Sequence, residues 1–357
     1  MYMSGQLYSN LKFLRFREQL DALVDGTVAA PVHIRIKPIN LCNHHCWYCA
    51  YRTDDLKLGE DMDERDQIPS DKMFEIVGDV VAMGVKAVTF SGGGEPLLYK
   101  PLPEVIDRLA AGGVKVATLT NGSNLKGRVA EALARHATWV RVSVDAWDDD
   151  SYVKSRGARE GEFSRLLENM AAFVKTGTKC TLGVSFIVGK DNHGRLYEVC
   201  SRFKEIGVNH VKLSAAVVGN SVEANNVYHR EFAVGARAEI DRCLGLSGDG
   251  FSVIDHFHEM ESRFDKDYTT CPFLRFLTVI GADQVVYTCQ DKAYTKDGIL
   301  GSIKDRSFRD YWFSEDNRRR LAEFDPSVSC RHHCVSHAKN LALHQYLSLD
   351  PEHGNFV

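Results

Sequence analysis

Between residues 31 and 214 six β-like runs alternate with five helix-like ones, and this alternation constrains the fold more than any other feature. The β-like runs are 32–37, 86–90, 114–119, 139–144, 181–188 and 210–214. The helical runs start at Pro69, with Ser70 or Asp71 as cap, then cover 102–111, 125–136, 163–175 and 195–206. Strands and helices in strict succession imply a parallel sheet with helices outside. Six units fall short of the eight that close a barrel. The predicted fold class is therefore α/β, a partial (β/α)6 barrel of the TIM type. Ligands of such folds collect at the C-terminal ends of the strands.

The polar motifs fall on that rim. Cys42, Cys46 and Cys49 follow the first strand, with His44, His45, Trp47 and Tyr48 between them. Three thiols can hold three irons of a four-iron cluster and leave the fourth iron open for a ligand. Two other readings stand beside this one. The offsets of four and three also mark one face of a helix, and His44 or His45 could complete a zinc site. Ser91-Gly92-Gly93-Gly94-Glu95-Pro96 follows the second strand. Adjacent glycines let a backbone approach a ligand closely, and Glu95 could receive an ammonium group. The stretch lacks the spacing and Lys of a phosphate loop, which disfavours a nucleoside triphosphate. Thr120-Asn121-Gly122 follows the third strand, Asp145 the fourth, and Arg156-Gly157 comes soon after. Loop capping is the plain alternative for Thr120, Asn121 and Asp145.

Composition narrows the class. The 357 residues are 44% hydrophobic and 26% charged, with a formal net charge of −4. That suits one large domain and a smaller one, and it gives no basic footprint for nucleic acid. No apolar run approaches the roughly 20 residues that span a bilayer, and residues 1–6 show no signal pattern. The expectation is a cytoplasmic protein with neither a membrane nor a nucleic-acid partner. In a reducing compartment ten cysteines are not a disulfide framework. Cys180, Cys200 and Cys243 are isolated and read as buried thiols. Cys271, Cys289, Cys330 and Cys334 form a second group. Cys289 follows a predicted hairpin, 278–288, whose turn is Gly281 to Gln284. On spacing alone zinc fits this set as well as iron–sulfur, and His332, His333 or His337 could replace a thiolate.

Taken together, the Cys-x3-Cys-x2-Cys triplet, the Gly-Gly-Glu-Pro stretch and the strand order resemble the radical S-adenosylmethionine superfamily. The resemblance makes Cys42, Cys46 and Cys49 the ligands of a [4Fe-4S] cluster whose open iron chelates the cofactor. It places Tyr48 near the adenine and Gly93, Gly94 and Glu95 at the methionine ammonium group. It suggests that Thr120, Asn121, Ser143 and Arg156 hold the ribose and carboxylate. Ser143 points inward by strand alternation if Val142 and Val144 face the helices. The second cysteine group resembles the twitch extension, a shortened SPASM domain, with one auxiliary [4Fe-4S] cluster on Cys271, Cys289, Cys330 and Cys334. Its closing spacing of three residues departs from the two expected of that form.

The implied chemistry is reductive cleavage of S-adenosylmethionine to a 5′-deoxyadenosyl radical that abstracts a substrate hydrogen. A flavodoxin or ferredoxin would supply the electron. An auxiliary cluster accepting an electron suggests oxidation of a small polyol, sugar or aminocyclitol, with Lys212 as a candidate proton acceptor. Peptide modification and a non-catalytic electron carrier or redox sensor are the alternatives. The expected divisions are a helical lead-in at 1–30, the barrel at 31–225, a connection at 226–260, the auxiliary domain at 261–341 and a tail at 342–357.

Overall fold

The computed structural model describes residues 8–53, 56, 58–258 and 264–356. After helix α1 (Arg17–Val24), strands and helices alternate: β1 (His33–Ile36), α2 (Ser70–Ala82), β2 (Ala87–Phe90), α3 (Leu102–Ala111), β3 (Lys115–Thr120) and α4 (Gly127–His136). They continue with β4 (Ala137–Ser143), α5 (Asp149–Arg156), α6 (Glu162–Lys175), β5 (Thr181–Val188), α7 (Leu196–Ile206) and β6 (His210–Ala215). All six expected strands and all five expected helices are present. Pro69, not Ser70 or Asp71, stands at the N-cap of α2, and no side chain caps that helix. A proline needs no hydrogen-bond partner for its nitrogen, which makes it suitable there.

Alternation along the strands sorts the two faces. Val140, Val142 and Val144 of one strand and Val184, Phe186 and Val188 of the next are buried among the helices. Arg141, Ser143, Ser185 and Lys212 lie between them and face the barrel interior. The prediction for Ser143 therefore has its geometric premise.

The sheet does not end at six strands. Helix α8 (Val222–Arg230) straddles the expected start of the connection at 226, and the connection itself holds α9 (Ala233–Leu244) and a strand, β7 (Ser252–His256), parallel to β6. The strand is short and follows a polar Gly-Asp-Gly turn, so its periodicity is weak. Strand β8 (Leu277–Ile280) pairs in parallel with β1 on the opposite flank. It then turns into β9 (Val285–Tyr287) and β10 (Ile299–Ser302), both antiparallel additions. The hairpin and its turn are where the sequence places them. One ten-stranded sheet results, in the order β10-β9-β8-β1-β2-β3-β4-β5-β6-β7. Among the described residues nothing pairs β7 with β8, so the barrel stays open along that side.

Helices α10 (Phe308–Trp312), α11 (Glu315–Glu323), α12 (Pro326–Ser329) and α13 (His337–Leu347) complete the chain. The last crosses the expected boundary at 341, because Leu343 is fully buried with Phe13, Leu20, Val32 and Phe276. The lead-in thus packs on the C-terminal region as well as on the barrel. Residues 1–7 of the lead-in and the boundary at 260–261 lie outside the described residues. Cys180, Cys200 and Cys243 are buried, as expected.

Candidate active site at the barrel rim

Residues 42–49 form a loop with tight turns and no helix, which removes the helical-stripe reading of the three thiols. The end of α5 clamps this loop. His45 donates its N–H to the Arg156 carbonyl at 2.7 Å, and Trp47 donates to Ser155 at 3.4 Å. Gly157 ends α5 at φ +56°, and a Cβ there would stand 3.0 Å from the His45 Cβ. A side chain would be both strained and crowded at this point. All three thiols are half-buried. The His44 N–H lies 3.5 Å from Cys42 Sγ, and Arg156 Nη1 lies 3.6 Å from Cys46 Sγ. Burial pushes the Cys42 thiol up to about 11. His44 turns away from the thiols: its Nε2 meets Glu162 at 3.0 Å, and burial holds it down at about 4.

The glycine stretch lies against the entry to this loop. Gly94 N–H donates to the Ile39 carbonyl and Glu95 N–H to the Leu41 carbonyl, each at 3.0 Å. A Cβ on Gly94 would fall 2.1 Å from the Leu41 oxygen, and one on Gly93 2.0 Å from Asn40 Oδ1. Only glycine permits that approach. The buried Glu95 carboxylate accepts from Thr120 Oγ1 at 2.6 Å, Asn121 N–H at 2.7 Å and Leu97 N–H at 3.0 Å. Most of its acceptor capacity is thereby spent inside the chain, tying the second strand's loop to the third's. Asn121 in turn reaches Asn43, one residue past Cys42, at 2.9 Å.

Arg156 is occupied in the same way. Its Nε donates to the Val144 carbonyl at 2.8 Å, its Nη2 pairs with Asp145, and both side chains are 3% exposed. Asp145 holds a left-handed φ of +59° and also accepts from the Tyr48 hydroxyl and the Ile187 N–H. Half-buried Tyr48 and Cys46 and buried Asp145 and Arg156 therefore form one chain of contacts. Of the residues assigned to the rim by sequence, Glu95, Thr120 and Asn121 form one hydrogen-bonded network and Tyr48 and Arg156 meet on Asp145 in another.

Two positions escaped the sequence reading. Lys37, one residue past β1, is 1% exposed, donates to Tyr51 at 2.5 Å and to the Gly92 carbonyl, and lies 4.2 Å from the Tyr51 ring centre. Burial lowers its pKa to about 7. The Tyr51 hydroxyl donates to the Gln290 carbonyl at 3.0 Å, next to Cys289. Arg35, two residues earlier on the same strand face, is the other. The signal available was an alternating polar run, His33, Arg35 and Lys37, leading into the cysteine loop.

The second thiol group is also assembled. Cys271, Cys289, Cys330 and Cys334 line one cavity of about 60 Å³, together with His332, Asp291 and Lys266. Burial, with the neighbouring thiols next, pushes Cys271 upward and Cys330 up to about 12. Asn340 Nδ2 donates to Cys271 Sγ at 3.1 Å. His337 bonds to the Tyr268 hydroxyl at 3.1 Å, and His333 packs edge-on to Phe264. The thiols ring the cavity and do not meet at a point. Among the described residues, no three Cys, His, Asp or Glu side chains are gathered as a single metal ion would need.

A larger chamber of about 710 Å³ occupies the barrel interior. Neither the cysteine loop nor the glycine stretch lines it, so it lies below the rim. Lys212 lines it, with its ammonium 5.6 Å from the Tyr8 ring centre. Arg35, Phe273, Leu277, Val335 and Lys339 line both this chamber and the thiol cavity. No helix among the described residues is long and apolar enough to cross a membrane.

The three thiols lie on the loop after the first strand, within a stretch of the chain that matches a known family. Residues 36–197 match the family described as the Radical SAM superfamily. Among curated relatives, the chain is 34% identical over 179 residues to the GTP 3′,8-cyclase of Xanthomonas campestris pv. campestris, covering 49% of this chain and 51% of that one. It is 31% identical over 121 residues to the S-adenosylmethionine-dependent nucleotide dehydratase of Lacinutrix mariniflava, covering 34% and 25%. The chain spans about half the length of the cyclase.

Structural likeness extends further. Streptococcus suis SuiB bound to precursor peptide SuiA superposes with a TM-score of 0.62 at 15% identity, over 94% of this chain and 79% of that one. Native anSMEcpe with bound AdoMet and Kp18Cys peptide gives 0.59 at 16% identity, over 89% and 98%. At such identities the likeness is one of fold, and it runs through both the barrel and the second thiol region.

Proposed function

We propose that this chain is a radical SAM oxidoreductase that takes a hydrogen atom from a small polyol or sugar derivative and oxidises it. The donor sets fit the groups this requires. Cys42, Cys46 and Cys49 would hold one [4Fe-4S] cluster, with Arg156 and the His44 N–H as donors to its sulfurs. S-adenosylmethionine would sit on the rim beside Tyr48, Gly93, Gly94, Thr120, Asn121 and Ser143. When bound, these groups supply a 5′-deoxyadenosyl radical, at the expense of one electron from a flavodoxin or ferredoxin. The chain's own part is to exclude water and fix geometry: Glu95 and Arg156 lock the loops, and the chamber below receives the substrate.

Removing hydrogen from a carbinol carbon leaves a carbon radical. Losing the hydroxyl proton and one electron then gives the carbonyl. Lys212 lines the chamber and, as a neutral amine, would accept that proton. Cys271, Cys289, Cys330 and Cys334 would hold the auxiliary cluster that receives the electron. Four thiols around a cavity suit a cuboidal cluster better than a zinc ion with bonds of about 2.3 Å to a single point.

The observation that carries the reading is the shared wall between chamber and thiol cavity, which would set an electron acceptor held by the thiols beside a substrate in the chamber. A chamber of this volume is in the range of small-molecule sites. The peptide-bound states of SuiB and anSMEcpe favour a second reading, a peptide substrate entering the open side of the barrel. The test is metal content after anaerobic reconstitution. The account expects about eight irons per chain, falling to about four in Cys289→Ala. About four in the unaltered chain, or stoichiometric zinc, overturns the two-cluster reading.

A further inference from the structure

Among the described residues that line the barrel chamber, Arg35, Lys115 and Lys339 are basic and none is Asp or Glu. Arg35 projects from the middle of β1, and its Nε is buried with no hydrogen-bond partner. Arg141 stands behind Tyr8 on β4. Its Nη1 donates to the Tyr8 hydroxyl at 3.0 Å, while its Nε is also buried and unpartnered. Tyr8 itself lines the chamber. Burial disfavours the charge on Arg35, and the Arg141 guanidinium nearby disfavours it further. Buried guanidinium nitrogens without acceptors are costly, and so are like charges held together in a low-dielectric interior. An oxyanion entering the chamber would relieve both costs.

We propose that the substrate carries an anionic group, a phosphate ester or a carboxylate, and that this group docks on Arg35 with Arg141 in support. The inference rests on the small-molecule reading above and narrows it. Arg35 lies two residues below Lys37, hence roughly 7 Å under the rim along the strand. The anion anchors the molecule at depth and leaves its other end toward the rim. A guanidinium is the planar partner suited to bidentate binding of either oxyanion. A cationic aminocyclitol would be repelled by the same chamber.

One competing role for Arg35 is visible. It also lines the thiol cavity, where Asp291 is a counter-charge, so it could serve only to balance that site. Lys266 and Lys339 already flank those thiols, and Arg141 lines neither that cavity nor the chamber, which it meets through the Tyr8 hydroxyl. Arg141 therefore separates the two roles.

The test uses the reconstituted full chain and calorimetric titration. Glucose and glucose 6-phosphate form a matched pair, and inorganic phosphate and acetate are titrated beside them. The proposal expects glucose 6-phosphate to bind more tightly than glucose. At least one of the two ions should bind saturably, and the preferred ion tells phosphate ester from carboxylate. Arg35→Gln and Arg141→Gln should each weaken binding of the preferred ion about 10- to 100-fold, with iron content unchanged in Arg141→Gln. Equal binding of the neutral sugar overturns the proposal, as does no saturable binding of either ion, or unchanged affinity in both variants. Oxyanion binding by a chain that releases no 5′-deoxyadenosine would instead count against the radical chemistry alone.

Discussion

Arg156→Met removes a cation from the most buried charged contact of the rim and keeps an unbranched apolar stem. In the native chain that guanidinium donates to the Val144 carbonyl, pairs with Asp145 and lies 3.6 Å from Cys46 Sγ. The variant leaves the Asp145 carboxylate 3% exposed with only the Tyr48 hydroxyl and Ile187 N–H as donors. Stranding one partner of a buried pair costs about 3–5 kcal/mol. Asp145→Asn keeps the residue type that tolerates a left-handed φ, so the double variant restores neutrality without new backbone strain. Anaerobic urea denaturation of the four proteins, followed by circular dichroism, gives the cycle. Arg156→Met alone should lose about 3–5 kcal/mol. The double variant should recover about 1–3 of it. Losses that simply add, or a single-variant loss under about 1 kcal/mol, would show that the pair is not the lock described. A cluster held by Cys46 would also become harder to reduce in Arg156→Met, because a donor to that thiolate is gone.

Two further outcomes follow from the same geometry. Glu95→Gln places an amide against three donors, so stability should fall by about 1–3 kcal/mol. The Thr120–Asn121 turn should also gain hydrogen-exchange rate, and unchanged exchange there would refute the tie between the two loops. Burial holds His33 down at about 3 and His210 at about 4, below the ordinary value of 6.5. The unfolded chain therefore binds more protons between those values. Stability should drop as pH falls from 6.5, by about 1.5 kcal/mol per histidine at pH 5. A melting temperature flat from pH 7 to 5 would contradict it.

How much could be read from the sequence depended on whether the determinant was local. α3 and β5 have the bounds expected, since each carries a clear period and a terminating signal. α5 was passed over because few apolar residues mark it. Its Asp148–Ser151 capping box was the signal available. β8 reads locally as half a hairpin, yet its pairing with β1 joins residues more than 200 positions apart, and no local pattern encodes that. At the rim, residue types were legible and partners were not. Glu95 and Arg156 look like free charges along the chain, and only the fold brings Thr120, Asn121 and Asp145 to them. Arg35 and Arg141 look like the solvated face of a strand until the barrel turns that face inward.

The most direct test of the central claim is product formation. The reconstituted chain is incubated without oxygen with S-adenosylmethionine and a reductant, and 5′-deoxyadenosine is measured. The account predicts its release, and its loss in Cys46→Ala. A chain loaded with both clusters that yields no 5′-deoxyadenosine would contradict it.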